Sequence, residues 1–379
     1  MLTSAIEIRG FCDRKFDLVR EAFVTNFRDH NEIGASVSVI SGGKSVVDLW
    51  AGWRDIAGTK PWQRDTIVNF WSSTKGINAI CFAMLVDRGL ASYEDKISDH
   101  WPAFGAAGKQ DITIGMLLAN QAGVCAFLEP ATIEDLLSGE RAAARLAAQA
   151  PIWEPGTAAG YHGQTLGVLS TALFERIEGR SIKCFVQEEI AGPFGLDLSI
   201  GLAPNDEHRV AEMQPIPALD MSKFDPSNIA QYKALGNPGT PGSLSNDARW
   251  YAADLPSANG FGNARALAHL YDLLLRPAPD GRVLVSNEAI AEAARCRFEG
   301  VDLVKGCFTR WSAGFWLNPG ENLYGPNPEA FGFSGWGGSF GLVDPVADIA
   351  ASYTMNRMSD QFELNPRRRG LINAVFEAL

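Results

Sequence analysis

Ser72-Ser-Thr-Lys75 puts a hydroxyl and an amine three residues apart where an apolar run begins. Residues at that spacing share a helix face, so the Lys75 amine comes within reach of the Ser72 hydroxyl. A helix start adds N–H groups without intrahelical partners and a partial positive charge. In a site with little water, these conditions lower the lysine pKa until a neutral amine takes the serine proton. The same four residues also fit a plain helix cap with Lys75 in solvent. The spacing occurs a second time, in Ser41-Gly-Gly-Lys44, but there a glycine turn would hold nothing together.

Tyr161 is the second candidate. It follows the Pro155-Gly156 turn and Gly160, just ahead of a predicted helix. A phenol placed there relays a proton if a cationic lysine stabilises its ionised form. A packed tyrosine with a satisfied hydroxyl is the plainer reading, and His162 beside it reads as structural. The third candidate is Gly332-Phe-Ser-Gly-Trp-Gly-Gly-Ser-Phe-Gly341, directly before a β-like run. Glycines let a backbone approach a ligand closely, and edge N–H groups from such a segment could serve as oxyanion donors. Phe340 stands where a dinucleotide fingerprint needs its last glycine, and Trp336 breaks the nucleophile-elbow pattern around Ser334. Gly43-Lys44-Ser45 misses a phosphate loop, because Ser38 occupies the position of its first glycine.

These residues need elements to position them. Residues 74–90 read as a helix in which Ile77, Ile80, Cys81, Met84 and Leu85 recur at helical spacing and Gly89 closes the run. Apolar residues all round predict a buried helix. An opening helix is predicted over 17–30, then two strands over 35–40 and 45–50 joined by a glycine turn. Further helices are predicted over 112–118, 133–148, 165–178, 262–275 and 367–379, and strands within 311–317 and 340–355. Residues 203–245, rich in proline, read as a long loop of the kind that forms lids or binding loops. Strands at both ends with helices between predict a discontinuous α/β domain, 1–90 with 255–379. A mostly helical domain over 91–254 carries long loops.

Composition narrows the function. Hydrophobic residues make up 46% of the 379 and charged residues 20%, which suits a folded protein with a sizeable core. The net charge of −11 repels phosphate backbones, so a nucleic-acid partner is not expected. The one dense basic cluster, Arg367-Arg368-Arg369, reads as a solvated helix start. No uncharged run is long enough for a membrane span, and residues 1–17 lack the apolar stretch of a signal peptide. Six scattered cysteines without a C-x-x-C pair point to reduced thiols in a cytoplasm. Five dispersed histidines offer no metal site, so the chemistry falls to ordinary side chains.

Taken in order, Ser72-x-x-Lys75, Tyr161 after a Pro-Gly turn, and Trp336-Gly337-Gly338-Ser339 ahead of a terminal strand and helix resemble the serine β-lactamase and penicillin-binding-protein superfamily. Within it the chain looks most like the carboxylesterases related to class C β-lactamases, the family VIII esterases, over nearly its whole length. Trp153-Glu-Pro-Gly-Thr157, Ile190-Ala-Gly-Pro-Phe-Gly-Leu196 and the stretch from Ser257 to Ala268 look like segments of that family. Two departures bear on substrate. Gly163 stands where β-lactamases have the asparagine of Tyr-x-Asn, and Trp336-Gly337-Gly338 replaces their Lys-Thr-Gly. That lysine binds the carboxylate of β-lactams, whereas a tryptophan would flank an uncharged acyl or alcohol group. Gly123 fits the family's turn, though the usual histidine and serine near it are missing.

The resemblance implies an α/β (α+β) fold with a central antiparallel sheet flanked by helices, plus a mostly helical domain, with the site between the two. It implies a serine carboxylesterase for small-molecule esters of short-chain acyl groups, with no metal or organic cofactor. Ser72 would be the nucleophile, with Lys75 and Tyr161 sharing the general-base work. The N–H groups of Ser72 and Ser339 would form the oxyanion hole, and Trp336, Gly337 and Gly338 would line the substrate site. A β-lactamase, transacylase or peptidase using the same groups, and a non-catalytic scaffold, are the alternatives. The oligomeric state stays open.

Overall fold

Strands from both ends of the chain meet in one sheet. The computed structural model describes residues 6–320, 323–361 and 365–379. Its strands are β1 (Arg9–Cys12), β2 (Gly34–Ser41), β3 (Lys44–Gly52), β4 (Val68–Asn69), β5 (Leu198–Ile200), β6 (Gly260–Gly262), β7 (Phe298–Val301), β8 (Phe308–Trp311), β9 (Trp316–Leu317), β10 (Phe331–Ser334), β11 (Phe340–Asp344) and β12 (Ile349–Met355). Nine form an antiparallel sheet in the order β1-β3-β2-β12-β11-β10-β9-β8-β7, and β4-β6-β5 form a second, small one. The Gly42-Gly43 turn joins β2 to β3 with both glycines at positive φ, which matches the twist of a two-residue hairpin.

Seven of the eight residues of β2 are buried, because both sheet faces are covered. Side chains alternate between faces along a strand. On β12, Ser352 donates to Ala264 O at the start of the helix Ala264–Asp272, while Tyr353 on the opposite face donates to Glu32. The helices Asp17–Asp29 and Pro366–Glu377 pack against each other, and Asn26 Nδ2 of the first donates to Arg367 O of the second at 3.4 Å. The helix Thr74–Asp87 is buried from Thr74 to Leu85, as its apolar sequence predicts. It packs close to the sheet because Gly76 and Gly341 leave room for the Tyr271 side chain: a Cβ would lie 2.0 Å from its hydroxyl at Gly76 and 2.3 Å from its ring at Gly341.

Several predicted elements come out differently. Residues 133–148 form two helices, Ile133–Leu136 and Glu140–Ala148, broken where Gly139 adopts φ +59°. The helix predicted over 262–275 is shorter, since Gly260–Gly262 is drawn into β6 by pairing with β4 and β5. The predicted loop over 203–245 contains the helix Ile229–Gly236. Arg367 and Arg368 are not solvated: both are buried at the start of the C-terminal helix, and of the three only Arg369 is exposed. Among the described residues, no helix is long and apolar enough to cross a membrane.

Candidate active site

The short strand β4 ends one residue before a sharp bend. Asn69 fixes that end: its Nδ2 donates to Ala258 O and Gly260 O at 3.1 and 3.2 Å, and its Oδ1 accepts from Trp71 N at 3.3 Å. Trp71 then takes φ +49°, a left-handed conformation that costs a non-glycine residue about 1–2 kcal/mol. Its ring is held between Trp250 and Trp336, with centroids 5.3 and 5.0 Å away. The bend passes through the 3-10 turn Trp71–Ser73 into the helix Thr74–Asp87. It leaves Ser72 half-exposed between two buried neighbours.

Lys75 lies one turn on and is fully buried. Its Nζ donates to Gly163 O at 2.6 Å and Ser257 O at 2.8 Å, and stands 3.4 Å from Ser72 Oγ. Burial, and secondarily the positive charge of Lys305, holds the Lys75 pKa well below its ordinary value. The Tyr161 hydroxyl donates to Ser72 Oγ at 2.7 Å. The Tyr161 ring stacks on Trp311, at 5.8 Å between centroids, and lies 4.8 Å from Lys75 Nζ and 5.5 Å from Lys305 Nζ.

Buried Asp302 locates that tyrosine. Its Oδ1 accepts from Tyr161 N at 3.0 Å, and from Val304 N and Lys305 N at 2.9 Å each. Its Oδ2 accepts from Trp311 Nε1 at 3.0 Å. His162 is structural, as the sequence suggests. Nδ1 donates to Gly160 O, Nε2 accepts from Val124 N, and burial lowers its pKa to about 4, so the ring is neutral.

The glycine-rich segment is the turn between β10 and β11. Ser339 Oγ donates to Phe70 O at 2.7 Å and lies 3.0 Å from Ser73 Oγ, tying this turn to the one that carries Ser72. A Cβ at Gly335 would come within 2.2 Å of both Ser339 Oγ and Phe70 O, so this junction requires glycine. Trp336 lies half-buried, edge-on to Trp71. Gly337 and Gly338 are buried against the start of the C-terminal helix, where Gly337 O accepts from Asn365 and Arg367.

The structure therefore brings Ser72, Lys75 and Tyr161 together and sets the 336–339 turn beside them. It keeps Ser41 and Lys44 at the β2–β3 turn, with Lys44 exposed. Four contributors escaped the sequence reading. Asp302 and Lys305 left one usable signal, the Asp-x-x-x-Gly pattern of a side-chain-capped turn. The carbonyls of Gly163 and Ser257 left none, since every residue has a carbonyl.

A half-exposed serine beside a buried lysine and a tyrosine, between an antiparallel sheet and a buried helix, defines a serine hydrolase of the β-lactamase and penicillin-binding-protein superfamily. Residues 20–374 match the Beta-lactamase family model, and the chain belongs to that family. It is 33% identical over 361 residues to the esterase/β-lactamase LipL of Mycobacterium tuberculosis, covering 92% of this chain and 83% of that one. It is similar to the crystal structure of a family VIII carboxylesterase, with a TM-score of 0.92 and 41% identity over 98% of this chain and all of that one. A penicillin-binding-protein homologue from Caulobacter crescentus matches with the same TM-score and coverage at 37% identity.

Proposed function

We propose that the protein is a serine carboxylesterase that hydrolyses small-molecule esters of short-chain acyl groups through a Ser72 acyl-enzyme. The observation that carries this reading is the convergence on Ser72 Oγ of the Tyr161 hydroxyl at 2.7 Å and the buried Lys75 amine at 3.4 Å. A neutral lysine amine has two protons and one lone pair. With both protons given to the Gly163 and Ser257 carbonyls, the lone pair is left for the Ser72 hydroxyl. Ser72 Oγ bonds to the ester carbonyl carbon as its proton passes to Lys75. The carbonyl electron pair moves onto oxygen, where the N–H groups of Ser72 and Ser339 hold it, each such donor contributing about 3–4 kcal/mol. Tyr161 hands its proton to the departing alcohol and regains one from Lys75. Water then attacks the acyl group through the same groups in reverse.

Trp336, with Gly337 and Gly338 behind it, replaces the lysine of the β-lactamase pattern and flanks an uncharged part of the substrate. The likeness to a family VIII carboxylesterase supports ester chemistry, while the name of LipL favours some β-lactam cleavage as a second reading. We further propose that residues 1–90 with 255–379 and residues 91–254 form two domains, the first supplying Ser72, Lys75 and Ser339 and the second Tyr161. Six cysteines that form no disulfide among the described residues support a cytoplasmic location.

The test is hydrolysis of p-nitrophenyl butyrate, with Ser72→Ala as control and a chromogenic cephalosporin in parallel. Ester turnover lost in the variant, with little cephalosporin cleavage, is the expected result. Comparable cephalosporin turnover would overturn the role given to Trp336, and inactivity on both substrates would favour a narrow acyl transferase or a silent scaffold.

A further inference from the structure

Both flanks of Ser339 lead to one carboxylate. On the N-terminal side, Gly337 O accepts from Arg367 Nη2, Asn365 Nδ2 and Ser359 N, each at 3.2 Å. Arg367 Nη1 donates to Glu32 Oε2 at 2.7 Å. On the C-terminal side, Phe340 is the β-sheet partner of Tyr353, whose hydroxyl donates to the same Glu32 oxygen. Glu32 is fixed in turn, accepting from Ile33 N at 3.2 Å through Oε1 and donating its own N–H to Asn26 O at 3.1 Å. Glu32, Arg367 and Tyr353 are all buried. The Gly337–Gly338 peptide has no slack, since a Cβ on Gly338 would lie 2.4 Å from Asn365 Nδ2.

A buried ion pair is commonly no more stabilising than apolar residues of the same volume, so filling the core does not account for this one. A forked guanidinium does what an apolar side chain does not: it fixes the direction of a carbonyl while holding a carboxylate. We infer that Glu32, Arg367 and Tyr353 are positioning residues for the oxyanion segment. Glu32 aligns Arg367 and Tyr353, these hold Gly337 O and Phe340, and the peptide between them is aimed so that Ser339 N–H faces the Ser72 reaction centre. The inference rests on the proposed roles of Ser72 and Ser339.

Removing one member alone leaves a buried unpaired group, so the main variant replaces all three: Glu32→Leu, Arg367→Met and Tyr353→Phe together. Leu371→Ala, in the same C-terminal helix, serves as the merely destabilised control. The triple variant is expected to melt cooperatively and to lose about 10–100-fold in kcat on p-nitrophenyl butyrate, with KM changed less than about threefold. Its affinity for a boronic acid that forms a tetrahedral adduct on Ser72 should weaken by a similar factor, while Leu371→Ala keeps the parental kcat at 25 °C. Parental kcat and boronate affinity in the folded triple variant, or an equal loss in Leu371→Ala, would overturn the inference. If the triple variant does not fold, Arg367→Lys decides. It keeps the charge opposite Glu32 but cannot fork to Gly337 O, so kcat should fall about tenfold at unchanged KM, and parental kcat overturns the inference. Full activity of Ser72→Ala would instead remove the reading beneath it.

Discussion

Ser41 and Lys44 close a hairpin at the surface, whereas Ser72 and Lys75 open a buried helix. The two pairs share residue types and spacing, yet their surroundings give them different chemistry. Lys44 is exposed to solvent at the turn. Lys75 is out of water, with two carbonyls for its protons and a serine 3.4 Å away. Desolvation disfavours the charged form of Lys75, which supports its proposed role as a base. The motif therefore acquires meaning from the helix and strands that bury it.

The comparison is broken most directly at the proposed nucleophile. Ser72→Ala should lower kcat on p-nitrophenyl butyrate by about 10⁴-fold or more and abolish covalent labelling by a phosphonate, while Ser41→Ala leaves both within about twofold. Labelling retained in Ser72→Ala, or lost in Ser41→Ala, would exchange the roles of the pairs. Next in size, Lys75→Met should cost about 10²–10⁴-fold in kcat and Lys44→Met nothing measurable in the same assay.

Two smaller effects sharpen the electrostatic half of the comparison. In the proposed mechanism Lys75 acts as its neutral amine, so activity should fall as pH drops through its pKa. Lys305 lowers that pKa by charge repulsion, so Lys305→Gln should raise it and move the acidic limb of kcat/KM to higher pH. A limb that stays put would show that Lys305 has no electrostatic hold on Lys75. Burial must also be visible at His162, whose pKa is lowered from 6.5 to about 4. The folded state binds this proton more weakly than the unfolded one. The contribution is therefore intact above pH 6.5 and lost as pH falls toward about 4, amounting to about 3 kcal/mol. Urea denaturation across that range should show a weaker pH dependence in His162→Gln than in the parent.

The parts of the fold legible in sequence were those with strong local periodicity. The helix Thr74–Asp87 was legible because its apolar residues recur without interruption, and the β2–β3 hairpin because its glycines mark a positive-φ turn. The short strands β4 and β5 were not, since pairing with distant β6 rather than local propensity makes them strands. At the site, Ser72, Lys75 and Tyr161 were legible through chemistry at known spacing, with order along the chain supplying the rest. The left-handed Trp71 and the buried Arg367 were hidden, the first because tryptophan is a poor signal for that conformation, the second because an arginine's partner 335 residues away leaves no local trace.

The hydrogen bond from Ser339 Oγ to Phe70 O joins segments 269 residues apart in the chain. Contacts that distant cost loop-closure entropy before they return any stabilisation, so they form late unless other structure has already drawn the ends together. The hydrogen bonds of the Thr74–Asp87 helix and the β2–β3 hairpin join residues close in sequence, whereas the junction beside Ser72 needs β10, β11 and β12 docked onto β2. The proposed site is thus complete only when distant segments meet, and recovery of ester turnover should report the closing of the sheet rather than the appearance of helices.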